Sequence, residues 1–254
     1  MAAVSDWTER HRPTSESHLE GNENQRQKIR KWLDDWKTGI PKNKAILLVG
    51  PPGVGKTTIA RAIAQDMGWN VIELNASDAR NAASIRKAAT KGATHRSLFF
   101  SPEENDKKTL ILIDEVDHLT GGLRSVSESR INDAIKVNLD NSDNVQLKGD
   151  TGGKAELLKL LAETKQPVIL ACNEVMGLWG KSSNWRSTRE RFQRLLVTIN
   201  FERASKEALR NIARRVLKAE SMDYDSDAIE AIVSNNPGDL RACLLYTSDA
   251  ADDD

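Results

Sequence analysis

Eight consecutive residues, Gly50-Pro51-Pro52-Gly53-Val54-Gly55-Lys56-Thr57, restrict this chain more than any others. They follow a short apolar run, AILLVG at 45–50, which reads as a buried parallel strand. They open a stretch, 56–67, with helical character. The GxxxxGK[ST] spacing has a physical cause. Glycines let backbone N–H groups turn inward around phosphate oxygens, and Lys56 can reach the β- and γ-oxygens. The Thr57 hydroxyl can ligate Mg²⁺, and the helix behind it points its positive end at the anion. The expected binding set is Gly50, Pro51, Pro52, Gly53, Val54, Gly55, Lys56, Thr57 and Thr58. A glycine-rich turn without a ligand is the other reading, and the strand before and helix after weigh against it.

The same texture continues on both sides. Runs at 69–74, 109–114, 167–173 and 195–201 read as strands, and 25–38, 82–92 and 152–163 as helices. In 25–38, Ile29, Trp32, Leu33 and Trp36 fall at helical spacing, as core residues do. Strands alternating with helices predict an α/β fold with a parallel sheet flanked by helices. From Ser205 onward only helices follow: 205–219, 225–234 and a third opened by PGDLRACLL. The expected organisation is an α/β core over 1–203, a small, truncated all-α lid over 204–242, and a non-native tail over 243–254. Residues 1–24 read as polar and irregular. Residues 121–150, glycine-rich and polar with one amphipathic piece at Ile131, Ala134 and Ile135, read as an inserted surface loop or helix.

Charge and cysteine usage narrow the function classes. Lys plus Arg and Asp plus Glu both number 37, so the chain is neutral, and a uniformly basic nucleic-acid binder is excluded. Any DNA-binding surface has to be a local patch. No apolar stretch approaches eighteen residues, which predicts no membrane span. The start, MAAVSDWTERHRP, lacks the apolar core of a signal peptide. Cys172 and Cys243 cannot frame a disulfide scaffold or a zinc site, so a reducing compartment is the default.

The second half of the phosphate site is ILIDE at 111–115. Asp114, at the carboxyl end of a strand, can hold the Mg²⁺ shell, and Glu115 can orient the attacking water. Asn173 ends the fourth strand, where an amide serves equally as a turn residue or as a γ-phosphate partner. Cys172 beside it reads as a buried, inert thiol. Arg241 opens a helix of the lid, from which a guanidinium could reach the nucleotide or face solvent.

Taken together, these features resemble the AAA+ ATPases, and within them the clamp-loader branch, the archaeal large subunits most closely. The runs that carry the resemblance are Trp7-Thr8-Glu9-Arg10-His11-Arg12-Pro13, Gly21-Asn22-Glu23, the GPPGVGKT loop and Glu73-Leu74-Asn75-Ala76-Ser77-Asp78. Asp114-Glu115-Val116-Asp117, Ala171-Cys172-Asn173 and Gly238-Asp239-Leu240-Arg241 complete the set. They span roughly residues 7–242.

The resemblance implies roles. Segment 8–13, with Arg12 and Pro13, would line the adenine pocket. Lys56, Asp114, Glu115, Asn173 and Arg241 would form the catalytic group, Asn173 and Arg241 sensing the γ-phosphate. ATP and Mg²⁺ are the implied ligands. The implied partners are clamp-loader small subunits, a ring-shaped sliding clamp and primer–template DNA read without sequence specificity. The implied setting is an archaeal-like cytoplasm, or a nucleus in a eukaryote. A self-assembling AAA+ remodelling ATPase of the branch-migration type is the alternative.

Small subunits of that branch carry a Ser-Arg-Cys run that supplies an arginine finger. Here the corresponding stretch is Arg191-Phe192-Gln193-Arg194-Leu195-Leu196. Arg189, Arg191 and Arg194 could act as fingers or form a solvated basic face. The branch's collar domain is not found in this sequence.

Two further segments are candidates for macromolecular contact. Residues 84–96 carry Arg86, Lys87, Lys91 and Arg96 without an acidic residue, a local patch suited to DNA phosphates, to which Ser84 can add a polar contact. Ser97-Leu98-Phe99-Phe100 follows. Leu98, Phe99 and Phe100 read either as core or as an apolar plug for a clamp pocket.

Overall fold

The computed structural model describes residues 7–77, 81–87, 108–119, 123–137, 152–180, 183–223 and 225–252. Five strands form one parallel sheet: β1 (Ala45–Val49), β2 (Asn70–Asn75), β3 (Thr109–Asp114), β4 (Val168–Cys172) and β5 (Leu196–Asn200). Their order is β2-β3-β4-β1-β5. In register, Leu47 of β1 meets Leu170 of β4 on one side and Thr198 of β5 on the other. Parallel strands need long crossovers and are covered on both faces, which explains the uninterrupted apolar runs of β1, β3 and β4.

The strand period of two divides the core between those faces. Ile46 and Leu48 pack with Ile29, Leu33 and Trp36 of α2 (Glu23–Thr38) and Ile59 and Ile63 of α3 (Lys56–Asp66). Ala45 and Leu47 share the opposite core with Leu157 and Leu161 of α6 (Gly153–Glu163), Leu178 of α7 (Val175–Trp179) and Phe192 of α8 (Trp185–Gln193). The α/β core expected from the sequence is present, with helices on both faces.

One stretch departs from the sequence reading. Residues 7–19 are not irregular: Trp7–Arg10 forms a short helix, α1, and Glu16–His18 a 3-10 turn. Trp7 and Leu19 are buried. A lone tryptophan in a polar segment has no periodicity to reveal it; tertiary packing orders it. Within 121–150, Glu128–Val137 is a helix, α5, whose Ile131 packs on Ala82 and Ala83 of the helical turn 82–87, labelled α4. The third lid helix runs from Leu240 to Asp252.

The lid consists of α9 (Lys206–Ala219), α10 (Ser226–Asn235) and α11 (Leu240–Asp252). Ser205 caps α9, its hydroxyl accepting from the Ala208 N–H at 3.1 Å. Leu209, Ala213, Ile229, Val233 and Cys243 make a separate small core. Among the described residues no helix is long and apolar enough to cross a membrane.

A candidate nucleotide site between the sheet and the lid

The carboxyl ends of β1, β3 and β4 meet at one cavity, and the lid closes it from the side. Its walls include Thr8, His11, Arg12 and Pro13, Pro52, Gly53 and Gly55 of the loop after β1, Lys56, Thr57, Thr58 and Ile59 at the start of α3, Asp114, Glu115, Asn173, Leu240 and Arg241. Open parallel sheets bind ligands at this edge, where the strand order reverses. Here β1 sends its connection past β4 and β3 to β2.

The loop after β1 holds a shape that only glycine tolerates. Gly53 and Gly55 are left-handed, at φ +72° and +84°. Gly50 packs so closely on the residue after β5 that a Cβ would lie 2.7 Å from the Phe201 carbonyl oxygen. The lid clasps the same loop. The Leu240 N–H donates to the Gly53 carbonyl at 2.9 Å, and Asp239 lies against Gly53.

Lys56 is buried at the start of α3. Its ammonium donates to the carbonyls of Gly50 and Pro51 and to Asn173 Oδ1, each at 2.8 Å, so all three donors are used. Burial pulls its pKa below the ordinary lysine value, while Asp114 nearby pushes it back up. Asp114 shows the opposite response. Burial raises its pKa, and the Glu115 N–H, donating at 2.8 Å, and the nearby Thr57 hydroxyl hold it down. The two groups expected to hold Mg²⁺, Thr57 and Asp114, thus already face each other.

Glu115 sits in the left-handed region at φ +53°, a costly position for a non-glycine residue. Its carboxylate faces His118 Nδ1 at 3.4 Å. Arg241 is exposed on α11, borders the cavity, and its charge acts on Lys56. Arg12 borders the cavity too, but its guanidinium is bound to Glu73 of β2 at 3.2 Å and to Glu9 at 3.5 Å.

A family model described as "ATPase family associated with various cellular activities (AAA)" matches residues 46–203. The chain belongs to the AAA ATPases. Its similar curated relatives are archaeal proteins described as replication factor C large subunit. One from Methanosarcina mazei is 30% identical over 96% of this chain and 33% of its own length. One from Halobacterium salinarum is 33% identical over 94% of this chain and 42% of its own length. One from Sulfolobus acidocaldarius is 30% identical over 94% and 45%. The chain therefore spans less than half the length of these relatives. Among solved structures, the Thermotoga maritima RuvB Holliday junction branch migration motor superposes with a TM-score of 0.58 at 22% identity. That match covers 95% of this chain and 65% of that one. A RuvB variant gives 0.62 at 20%. These likenesses concern the fold.

The AAA fold explains which sequence expectations converge. Arg12, Pro13, Lys56, Thr57, Thr58, Asp114, Glu115, Asn173 and Arg241 all border one cavity. Sequence reasoning missed the residues that hold this set in place. Glu220, on the turn after α9, binds Arg10 at 2.8 Å and His11 at 2.5 Å and so straps the amino-terminal segment to the lid. Trp7 packs on Ile212 and Val216 of the same helix. Asp117 accepts from the backbone after β4. Partners 56 to 210 residues apart along the chain leave no local pattern to read.

Part of the expected DNA patch is occupied by protein. Ser84 is buried and its hydroxyl donates to Asn81 Oδ1 at 3.3 Å. Arg86 forms a two-pronged pair with Glu156, at 2.7 and 2.9 Å, and also binds Glu128. Glu128, pinned by Lys159 and Arg86, is held down to about 2. Neither Ser84 nor Arg86 stands free for a phosphate: Ser84 is turned onto Asn81, and Arg86 is paired with Glu128 of α5 and Glu156 of α6. Lys87 is half-buried. Lys91, Arg96, Leu98, Phe99 and Phe100 lie outside the described residues. Arg189 and Arg191 on α8 and Arg194 at its carboxyl cap are exposed, and Arg189 stacks over Trp179 with its guanidinium 5.2 Å from the ring centre.

Proposed function

We propose that this AAA unit binds ATP with Mg²⁺ and hydrolyses it as a subunit of a loader that opens a ring-shaped DNA clamp and places it on primed DNA. The observation that carries the ATP reading is the meeting of Lys56, Asn173, Thr57 and Asp114 at one sheet edge under the lid. The loader reading is supported by relatives described as replication factor C large subunit, which match about 95% of the chain.

The residues fit the ligands. Among the described residues, no group of three or more His, Cys, Asp or Glu could hold a metal alone. Magnesium in ATPases needs only one or two carboxylates besides phosphate oxygens and water. Asp114 and the Thr57 hydroxyl supply that set. When bound, Mg²⁺ withdraws charge from the phosphate oxygens.

Lys56 exchanges its backbone acceptors for phosphate oxygens, since a buried ammonium needs anionic partners. Glu115 takes hydrogen bonds from the attacking water and orients it. Asn173 and Arg241 meet the γ-phosphate from β4 and from the lid, so loss of that group is felt on both sides of the cavity. Arg12 and Pro13 border the base end. Turnover depends on an arginine from a neighbouring subunit, worth on the order of 10³–10⁵ in rate where such fingers act.

The test is reconstitution with clamp-loader small subunits, clamp and primed DNA. Clamp-stimulated ATP turnover, lost in Glu115→Gln while ATP is still bound, supports the proposal. Efficient turnover by the chain alone, rising with its own concentration, favours a self-assembling remodelling ATPase.

A further inference from the structure

We propose that Asp117 is a positioning residue for Asn173, fixing the turn after β4 so that the amide oxygen meets Lys56. Asp117 lies in the 3-10 turn Val116–His118, directly after the Asp114-Glu115 pair. Its Oδ2 accepts two backbone N–H groups, from Asn173 at 3.3 Å and from Glu174 at 3.2 Å. Its Oδ1 is buried without a hydrogen-bond partner. A buried carboxylate oxygen without a partner is costly. What the fold obtains in return is a fixed peptide at 173 and 174.

The surroundings hold Asp117 in that role. Gly177 of α7 approaches so closely that a Cβ there would lie 2.6 Å from the Asp117 carbonyl oxygen. Lys154 of α6, itself buried, donates to the Gly177 carbonyl at 2.8 Å. A continuous path of contacts then runs from Lys154 through Gly177 and Asp117 to Asn173, whose Oδ1 accepts from Lys56 at 2.8 Å. The same short turn carries Glu115 at its start and Asp117 within it. Movement of the β3 end therefore cannot leave the β4 end unaffected. Asp117 touches no reacting atom in this arrangement; it acts through Asn173.

The catalytic part of this inference rests on the ATPase reading, and the structural part does not. Two measurements keep them apart. Amide hydrogen exchange at Asn173 and Glu174 in the nucleotide-free chain reads the hydrogen bonds directly. Both amides should exchange at least about tenfold faster in Asp117→Ala and stay protected in Asp117→Asn, whose side-chain oxygen can still accept. The second measurement is turnover in the reconstituted assembly for Asp117→Ala, Asn173→Ala and both together. Each single variant should lose on the order of 10- to 100-fold in kcat with ATP affinity within about threefold of wild type. The double variant should be no slower than Asn173→Ala, and Asp117→Asn should recover most of the rate. Losses that multiply, or an Asp117→Asn as slow as Asp117→Ala, would overturn the positioning role. Unchanged exchange in Asp117→Ala would overturn it even with no ATPase activity at all. Should Asp117→Ala fail to fold, Asp117→Ser carries the same comparison.

Discussion

Lys56 Nζ and Asn173 Oδ1 lie 2.8 Å apart although 117 residues separate them in the chain. The contact joins the loop after β1 to the end of β4, and these are neighbouring strands in register from Ala45↔Val168 to Val49↔Cys172. The sheet, not local sequence, brings the phosphate-binding ammonium to the amide that can report on phosphate. With Asn173 and two carbonyls as its only acceptors, Lys56 rests in a satisfied but anion-free state. ATP phosphates can displace those acceptors with stronger, charge-assisted partners.

Removal of that ammonium should therefore weaken nucleotide binding without unfolding the chain. Lys56→Ala is expected to lose at least about tenfold in ATP affinity, since a charge-assisted contact is worth roughly 1.5–3 kcal/mol. Titration of a fluorescent ATP analogue with and without Mg²⁺ measures it. Wild-type affinity in the variant would contradict the assignment.

Glu115→Gln should separate binding from chemistry. Its amide keeps the shape of the site but loses the charge that polarises water, so kcat should fall by about 10²-fold or more with ATP affinity retained. Single-turnover kinetics in the reconstituted assembly reads both quantities.

The contact between Gly53 and Asp239 predicts an unequal pair of glycine substitutions. Gly53→Ala meets a left-handed φ and a Cβ placed 1.9 Å from Asp239 Oδ1. Gly68→Ala meets the same kind of φ, +71°, with nothing within 4 Å. Gly68→Ala should cost about 1–2 kcal/mol. Gly53→Ala should cost more and also lower ATP affinity, because Asp239 must turn away from the loop and give up its hydrogen bond from the Ala242 N–H at the start of α11. Denaturant midpoints and ATP titrations of the two variants check this.

Alkaline pH should destabilise the fold through its two buried thiols. Burial pushes Cys172 up to about 12 and Cys243 to about 11, from an ordinary value of 9.0. Between pH 9 and those values the folded chain binds more protons than the unfolded one. The stabilisation is complete below pH 9 and is lost as pH rises through 11 and 12. Urea midpoints should fall over this range, and less so in Cys172→Ala/Cys243→Ala. Neither thiol should react readily with a disulfide reagent at pH 8 before unfolding.

Much of this was legible in the sequence, and the limits have physical causes. The loop 50–57 and the apolar runs ending at Asp114 and Asn173 declare a parallel sheet and its ligand edge, because strand burial and glycine geometry leave local marks. The strap from Arg10 and His11 to Glu220 leaves none: its members are unremarkable surface types until the fold brings them together. Arg86 shows the opposite failure. Its neighbours in sequence are basic, so it reads as free, whereas its partners Glu128 and Glu156 arrive from two other helices.

The most direct test is ATP turnover by the isolated chain across a wide range of protein concentration, with ATP affinity measured on the same samples. Tight Mg²⁺-dependent binding with turnover that stays negligible and independent of concentration is the result expected of a loader subunit whose arginine finger comes from a neighbour. Turnover per chain that climbs steeply with concentration would mean that copies of this chain complete one another's sites, and would contradict the account.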